Sequence, residues 1–399
     1  MARALSSAAR FSVVTAGVAL VAWAVGVDPR WAERHVLTSY CATGIGEWLV
    51  ARGVRWAAVV AGAAAALVLA PAVARRVART SPRDAAGSLL GIALAVAASL
   101  GLAEAVLRGM RDRLVLGVGT ASSDGRAQPM TQIDPRLGWS YLPGRTTRAE
   151  VAGRTVTYAI DGEGDRAPSP DDAPDPAQAT ILFAGESIAF GYGLEYEETF
   201  PALVGRDLGV RTVNLAVVGY GTDQAYLRVL AALERYRRPV GVVVLFHPGQ
   251  IRRNVDPWRP RLALGPSGAL ELVPPSKGPG LAKLLQVLPW HGGAELRVTG
   301  ATLSATAEAA RAHGAFPLFV VTNYGSACLH GDGAEPWIVD ELFVRRGLPF
   351  VRVDLEPEDL LPGTWERHPG PRGARKIAAA VEAALAARLA WRAAGSPAR

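Results

Sequence analysis

From residue 179 onward, short apolar runs alternate with longer amphipathic ones, and this alternation restricts the possible folds more than any single motif does. The apolar runs cover 179–184, 211–215, 240–246, 316–321 and 350–353, and the helical runs lie near 198–208, 222–237, 296–313, 335–346 and 371–393. Strand–helix alternation of this kind requires parallel strands joined by crossover helices that cover both faces of the sheet. The reading is an α/β chain with a three-layer α/β/α sandwich and a parallel five-stranded sheet. In such sheets ligands bind in the crevice outside the carboxyl ends of the strands, so residues just after each strand are the first to examine for chemistry.

The front third presents a different solvent problem. Three apolar segments, at about 11–27, 56–73 and 85–107, carry charges only near their ends. Each approaches the ~20 residues needed to cross a ~30 Å hydrocarbon core, so residues 1–110 are read as a membrane region with three transmembrane helices. The first segment, with Arg3 and Arg10 ahead of it, also fits a cleaved signal peptide. Arg75, Arg76, Arg79 and Arg83 crowd the connection between the second and third segments, which marks that loop as cytoplasmic and sends everything after the third crossing outward. Residues 111–178 read as a tether with a β-rich lead-in, including an alternating stretch at 155–160. The Pro- and Asp-rich stretch 167–178 reads as a loosely held loop. Residues 179–395 form the expected catalytic domain, with an insertion at 252–295.

The formal net charge of +7 does not point to nucleic acid. The basic residues are nearly all arginine and scattered, those at membrane edges account for part of the excess, and no basic patch is interleaved with aromatics. An anionic bilayer surface is the simpler partner. Cys41 and Cys328 would both face the extracytoplasmic side, and their pairing is left open.

In the stretch 181–194, ILFAGESIAFGYGL, Ser187 follows a buried-strand pattern and a Gly185-Glu186 turn, which exposes a hydroxyl above the sheet. A serine nucleophile needs a base, usually a histidine oriented by a carboxylate. Of the six histidines, His35, His291, His313 and His330 fall in the membrane-proximal part, in an insertion, at a helix end and in a polar loop. His247 follows a strand but has no carboxylate nearby in sequence. His368 caps the crossover between the last strand and the last helix, with Glu366 two residues before it. Glu186 is read first as a structural residue of the turn.

These blocks resemble the SGNH hydrolases, the GDSL-type esterase family, whose nucleophile sits in a Gly-Asp-Ser block and whose base sits in an Asp-x-His or Asp-x-x-His block. The corresponding residues here are Gly185-Glu186-Ser187 and Glu366-x-His368. The glycine that gives a backbone N–H to the oxyanion resembles the strand 213–215 followed by Gly219-Tyr220-Gly221. Asp134-Pro135-Arg136-Leu137-Gly138-Trp139 and Glu198-Thr199-Phe200-Pro201 extend the match, which covers about residues 130–392. The chain departs from the family at the third block, where Asn-Asp is usual and Phe246-His247-Pro248-Gly249-Gln250 stands instead; by register Gly249 takes the asparagine's place and Gln250 follows. Glu366 also replaces the usual aspartate, with Asp354, Glu356, Glu358 and Asp359 as reserve carboxylates.

The resemblance implies an SGNH or flavodoxin-like sandwich and a membrane-anchored serine esterase or O-acyltransferase. It would use a Ser187-His368-Glu366 triad and an acyl-enzyme, with an oxyanion hole from Ser187, Gly219 and Gln250, and neither metal nor cofactor. The implied substrate is an acyl ester of an envelope carbohydrate or lipid, met on the periplasmic side of a bacterial inner membrane. The alternative is an impaired member of the same fold that binds glycan or an envelope partner.

Overall fold

The computed structural model describes residues 2–26, 58–79, 130–276, 293–323, 335–362 and 368–395, with scattered positions between 56 and 105. The chain divides into two compact units, the first built from the N-terminal third and the second from residue 110 onward apart from a few exchanged positions.

In the first unit α1 (Ala2–Gly26) packs antiparallel to α2 (Ala58–Arg79). Glycine sets the contact distance. A Cβ on Gly62 would lie 2.6 Å from the Gly17 carbonyl oxygen and 2.8 Å from Val21 Cγ2, so the two backbones meet where neither carries a side chain. Ser6 Oγ donates to the Ala74 carbonyl 2.9 Å away, nearer the other end of the pair. Phe11, Leu67 and Val68 point outward and uncovered. Among the described residues α2 alone has the length and composition to cross a membrane; the apolar part of α1, Ser6–Ala22, is shorter. The third expected span, 85–107, lies outside the described residues apart from a few helical positions. Among the described residues one or two helices have spanning character, and neither a multi-pass arrangement nor outward export of the second unit gains support from them.

The second unit is built on a sheet of eight strands, not five. From edge to edge its strands are Phe350–Asp354, Phe316–Asn323, Pro239–Phe246, Thr180–Ala184, Arg211–Asn214, Arg166–Ala167, Arg154–Ile160 and Arg145–Val151. Five of these are the expected parallel strands: β6 (Thr180–Ala184), β7 (Arg211–Asn214), β8 (Pro239–Phe246), β11 (Phe316–Asn323) and β12 (Phe350–Asp354). Side chains alternate across this sheet with the two-residue period of a strand. Ile181 and Phe183 of β6 join one core with Val243 and Leu245 of β8, while Leu182 and Ala184 join the other with Val242 and Val244. Helices α4 (Phe200–Leu208) and α9 (Pro371–Gly395) pack together on the first face, and α5 (Thr222–Arg235) packs against α7 (Ala294–Ala312) on the second. The short helix α8 (Glu335–Val339) runs on into a π turn, Asp340–Val344.

The extra strands come from the segment read as a tether. Strands β3 (Arg145–Val151) and β4 (Arg154–Ile160) form an antiparallel hairpin, and β5 (Arg166–Ala167) joins β4 to β7 through the Arg166–Asn214 pair. A two-residue strand leaves no periodic signal, which is why the lead-in reads as separate from the sheet it extends. A small hairpin of β1 (Thr131–Asp134) and β2 (Gly138–Tyr141) precedes it. The loop 167–178 is also better anchored than its composition suggests. The Pro176 carbonyl accepts from the Arg237 N–H at 2.8 Å, and Asp172 pairs with Arg211. Within 252–295 the described part contains the hairpin β9 (Arg261–Leu264) and β10 (Leu270–Val273).

Beside β5, Asp161 Oδ1 accepts from the N–H groups of Glu163 and Asp165, each at 2.9 Å, and Asp165 pairs with Arg228 and Arg235. Burial, reinforced by the charge of Asp165, pushes the Asp161 carboxyl up to about 6. A carboxyl raised on folding subtracts stability progressively as pH rises from its unfolded value to its folded one; the loss is complete above the folded value and absent below the unfolded value. Asp161→Asn keeps both accepted hydrogen bonds without the charge. Its thermal midpoint is expected to exceed that of the parent at pH 8 and to match it at pH 4. An equal shift at both pH values, read by calorimetry, would contradict the account.

Candidate active site

The strand β6 ends in a turn that only glycine fits. Gly185 has φ +145°, and a Cβ there would lie 3.1 Å from Leu245 Cβ and 3.2 Å from the Leu245 carbonyl oxygen. Glu186 then caps the four-residue helix α3 (Ser187–Phe190), its Oε1 accepting from the Ile188 N–H at 3.1 Å, and Gly191 closes the turn at φ +82°. Beneath α3, the buried Arg166 guanidinium donates to the Thr157 carbonyl at 2.9 Å and lies 5.4 Å from the Phe190 ring centroid. Ser187 is thereby fixed at the start of a helix, at the carboxyl edge of the sheet.

His368 reaches the same point from the loop between β12 and α9. The Leu361 N–H donates to its carbonyl at 2.7 Å, and Leu360 bridges to Pro369. Its Nε2 lies 2.7 Å from Ser187 Oγ, and both residues are buried. The Tyr192 ring packs against the imidazole with centroids 4.7 Å apart. Glu366, the expected third member, lies outside the described residues. Three of the four reserve carboxylates are paired with cations or exposed. Asp359 accepts from the Glu356 N–H at 3.0 Å and pairs with Lys376 and Arg372 at the start of α9, Asp354 pairs with Arg352, and Glu358 is exposed.

Glu186 does more than cap a helix. Its Oε2 accepts from Ser187 Oγ and lies 3.4 Å from Arg253 Nη1. Burial would push this carboxyl up; the Arg253 guanidinium, the imidazoles of His247 and His368 and the Ser187 hydroxyl outweigh it and hold the carboxyl at about 2. An ionised carboxylate and an imidazole thus flank one hydroxyl, and rotation about its C–O bond decides which of them accepts its hydrogen bond.

Of the expected oxyanion donors, Gly219 sits in a turn after β7 at φ +83°, closed by the Tyr220 N–H donating to the Val217 carbonyl at 3.2 Å. The β1–β2 hairpin grips this turn. Trp139 Nε1 donates to the Val218 carbonyl at 3.2 Å, the Val218 N–H donates to the Tyr141 hydroxyl at 3.1 Å, and the Tyr220 hydroxyl donates to the Trp139 carbonyl at 2.6 Å. Gln250 opens α6 (Gln250–Arg253), fully buried after β8. Its Oε1 accepts from the His247 N–H at 2.9 Å, while its Nε2 has no hydrogen-bond partner among the described residues. A buried amide nitrogen in that state has donors to offer a bound group.

His247 is the residue that sequence reasoning passed over. It is buried, and its Nδ1 accepts from the Gly249 N–H at 3.1 Å, which puts the ring proton on Nε2. Burial pushes its pKa down to about 4 against the pull of Glu186, so the ring is neutral near pH 7. The charge that acts on it is that of Glu186, in the turn after the neighbouring strand β6. The usable signal was its place directly after a fully apolar strand. Elsewhere, His313 is exposed, its Nδ1 2.9 Å from the Ala309 carbonyl oxygen, and His35, His291 and His330 lie outside the described residues together with Cys41 and Cys328.

No protein-family model matches the chain, and no curated protein matches it. Among solved structures it is similar to a putative lipolytic protein of the G-D-S-L family from Desulfitobacterium hafniense DCB-2, at 13% identity and TM-score 0.33 over 51% of this chain and 98% of that one. It is also similar to the acetyl xylan esterase Est2A from the rumen bacterium Butyrivibrio proteoclasticus (12%, TM-score 0.35, 55% and 66%) and to AlinE4, an SGNH-hydrolase family esterase (18%, TM-score 0.27, 55% and 99%).

Proposed function

We propose that the second unit is a serine hydrolase of acyl esters. The observation that carries this reading is the 2.7 Å separation of Ser187 Oγ and His368 Nε2 at the carboxyl edge of the sheet, within the ≈ 2.6–3.2 Å reach a general base requires. In the proposed reaction His368 takes the Ser187 proton as the oxygen attacks the ester carbonyl, and the resulting tetrahedral oxyanion meets the N–H groups of Ser187 and Gly219 and the Gln250 carboxamide. Collapse expels the alcohol, which takes the proton from His368 and leaves an acyl-Ser187. Water then releases the acid; a sugar hydroxyl in its place would make the protein an O-acyltransferase. Glu366 is assigned the role of orienting the imidazole. The apolar helices of the first unit are proposed to anchor the chain to a bilayer with the site outside the cytoplasm, where an acylated carbohydrate or lipid would be the substrate.

A second reading, a binding domain without turnover, is favoured by one specific contact: the Ser187 hydroxyl donates to Glu186, a partner that competes with the base. Hydrolysis of a short-chain nitrophenyl ester by the full chain in detergent separates the two. Nitrophenol release well above the buffer rate is the expected result, and release at the buffer rate, by protein shown to be folded, favours the binding domain. Adding a sugar acceptor and analysing products by mass spectrometry reads transfer against hydrolysis.

A further inference from the structure

We propose that Arg253 is a positioning residue that sets the distance between the two backbone amides receiving the oxyanion; the inference rests on the reading of Ser187 as a nucleophile. Those amides belong to different loops. One follows β6 and is shaped by Glu186; the other follows β7 and ends at Tyr220. The direct backbone link between the loops is the Val217 N–H donating to the Gly185 carbonyl at a long 3.4 Å. Arg253, at the end of α6 and thus from a third strand connection, spans both. Its Nη1 donates to the Tyr220 carbonyl at 3.1 Å, one residue past Gly219, and to Glu186 Oε2 at 3.4 Å, one residue before Ser187.

The clamp is itself braced. The Arg253 carbonyl accepts from Arg259 Nη2, and Arg259 is locked by two hydrogen bonds of 2.9 Å to Asp223 at the start of α5. A guanidinium is suited to this task because its rigid fork presents several N–H donors in fixed directions, whereas a lysine ammonium is a point charge on a flexible stem. The electrostatics agree with the geometry, since Arg253 is the strongest of the charges holding Glu186 ionised. With the clamp in place, the loop carrying the nucleophile and the loop carrying Gly219 move as one body, and the two N–H groups converge on one oxygen.

The oxyanion exists only during the reaction, so loss of the clamp is a loss of transition-state stabilisation and leaves ground-state binding alone. A displacement of about 1 Å in a reacting group lowers turnover by ~10²-fold. The test measures ester hydrolysis by the full chain, with turnover expressed per site titrated by a fluorophosphonate. For Arg253→Ala, kcat is expected to fall about 10- to 10²-fold with KM within about twofold, and affinity for a trifluoromethyl ketone, whose adduct carries the oxyanion, should fall in parallel. Arg253→Lys should lie between the two and keeps the test available where the alanine variant does not fold. A merely structural role would reduce the number of titratable sites and leave kcat per site and the ketone affinity unchanged, and that outcome overturns the proposal. Wild-type protein that fails to label at Ser187 removes the nucleophile and this inference together; wild-type protein that labels, beside Arg253 variants of unchanged kcat, overturns this inference alone.

Discussion

Ser187→Ala and His368→Ala are each expected to lower kcat/KM for a nitrophenyl ester by on the order of 10³- to 10⁶-fold, and the double variant to be no slower than the worse of the two. Nucleophile and base act as one unit, so removing either removes the same step; what remains is the contribution of the oxyanion donors and binding. The 2.7 Å contact supplies the geometric premise, and the burial of both side chains keeps competing water away from it. Glu366→Ala is expected to reduce turnover by less, since the Tyr192 ring also packs against the imidazole and would continue to restrain it. Steady-state kinetics on folded variants decide the matter. Losses that add in the double variant, or a His368→Ala enzyme within tenfold of the parent, would contradict the assignment.

The largest expected effect on stability falls at Asp223. Both partners of the Asp223–Arg259 pair are almost wholly buried, joined by two hydrogen bonds of 2.9 Å, and Asp223 Oδ2 also accepts from the Leu262 N–H at 3.2 Å. Removing one member leaves an uncompensated charge in the interior, which typically costs about 3–5 kcal/mol. Asp223→Ala should therefore lower the thermal midpoint by on the order of 10 °C in a domain of this size. The paired replacement Asp223→Leu with Arg259→Met should recover part of that loss, because the second charge goes with the first. Thermal unfolding followed by circular dichroism reads both. A midpoint within about 2 °C of the parent for Asp223→Ala would show that the pair contributes little.

The parallel half of the sheet was legible because β6, β8 and β11 are buried on both faces and therefore appear as unbroken apolar runs such as Val242–Phe246. Of the three antiparallel strands only β4 was legible, as the alternating stretch 155–160; β3 is mostly exposed and β5 is two residues long, so neither stands out. Ser187 and His368 were nominated from their positions after a strand and before a helix, features that local sequence carries. Their neighbours were not legible in the same way. Arg253 meets Glu186 and Tyr220, His247 feels the charge of a carboxylate in the turn after another strand, and Trp139 and Tyr141 hold a loop about 80 positions away. Each of these contacts is created by the order in which strands pair, and no local pattern records that order. Gln250 is intermediate. Register placed it near the missing asparagine, but its buried amide nitrogen emerges only from the packing of α6.

The most direct test of the central claim is to label the full chain with a fluorophosphonate and map the adduct by mass spectrometry. A single adduct on Ser187, absent in Ser187→Ala and formed far more slowly in His368→Ala, is the result predicted by a serine activated by the imidazole 2.7 Å away. An adduct on another residue, labelling that persists in Ser187→Ala, or no adduct on folded protein would contradict it.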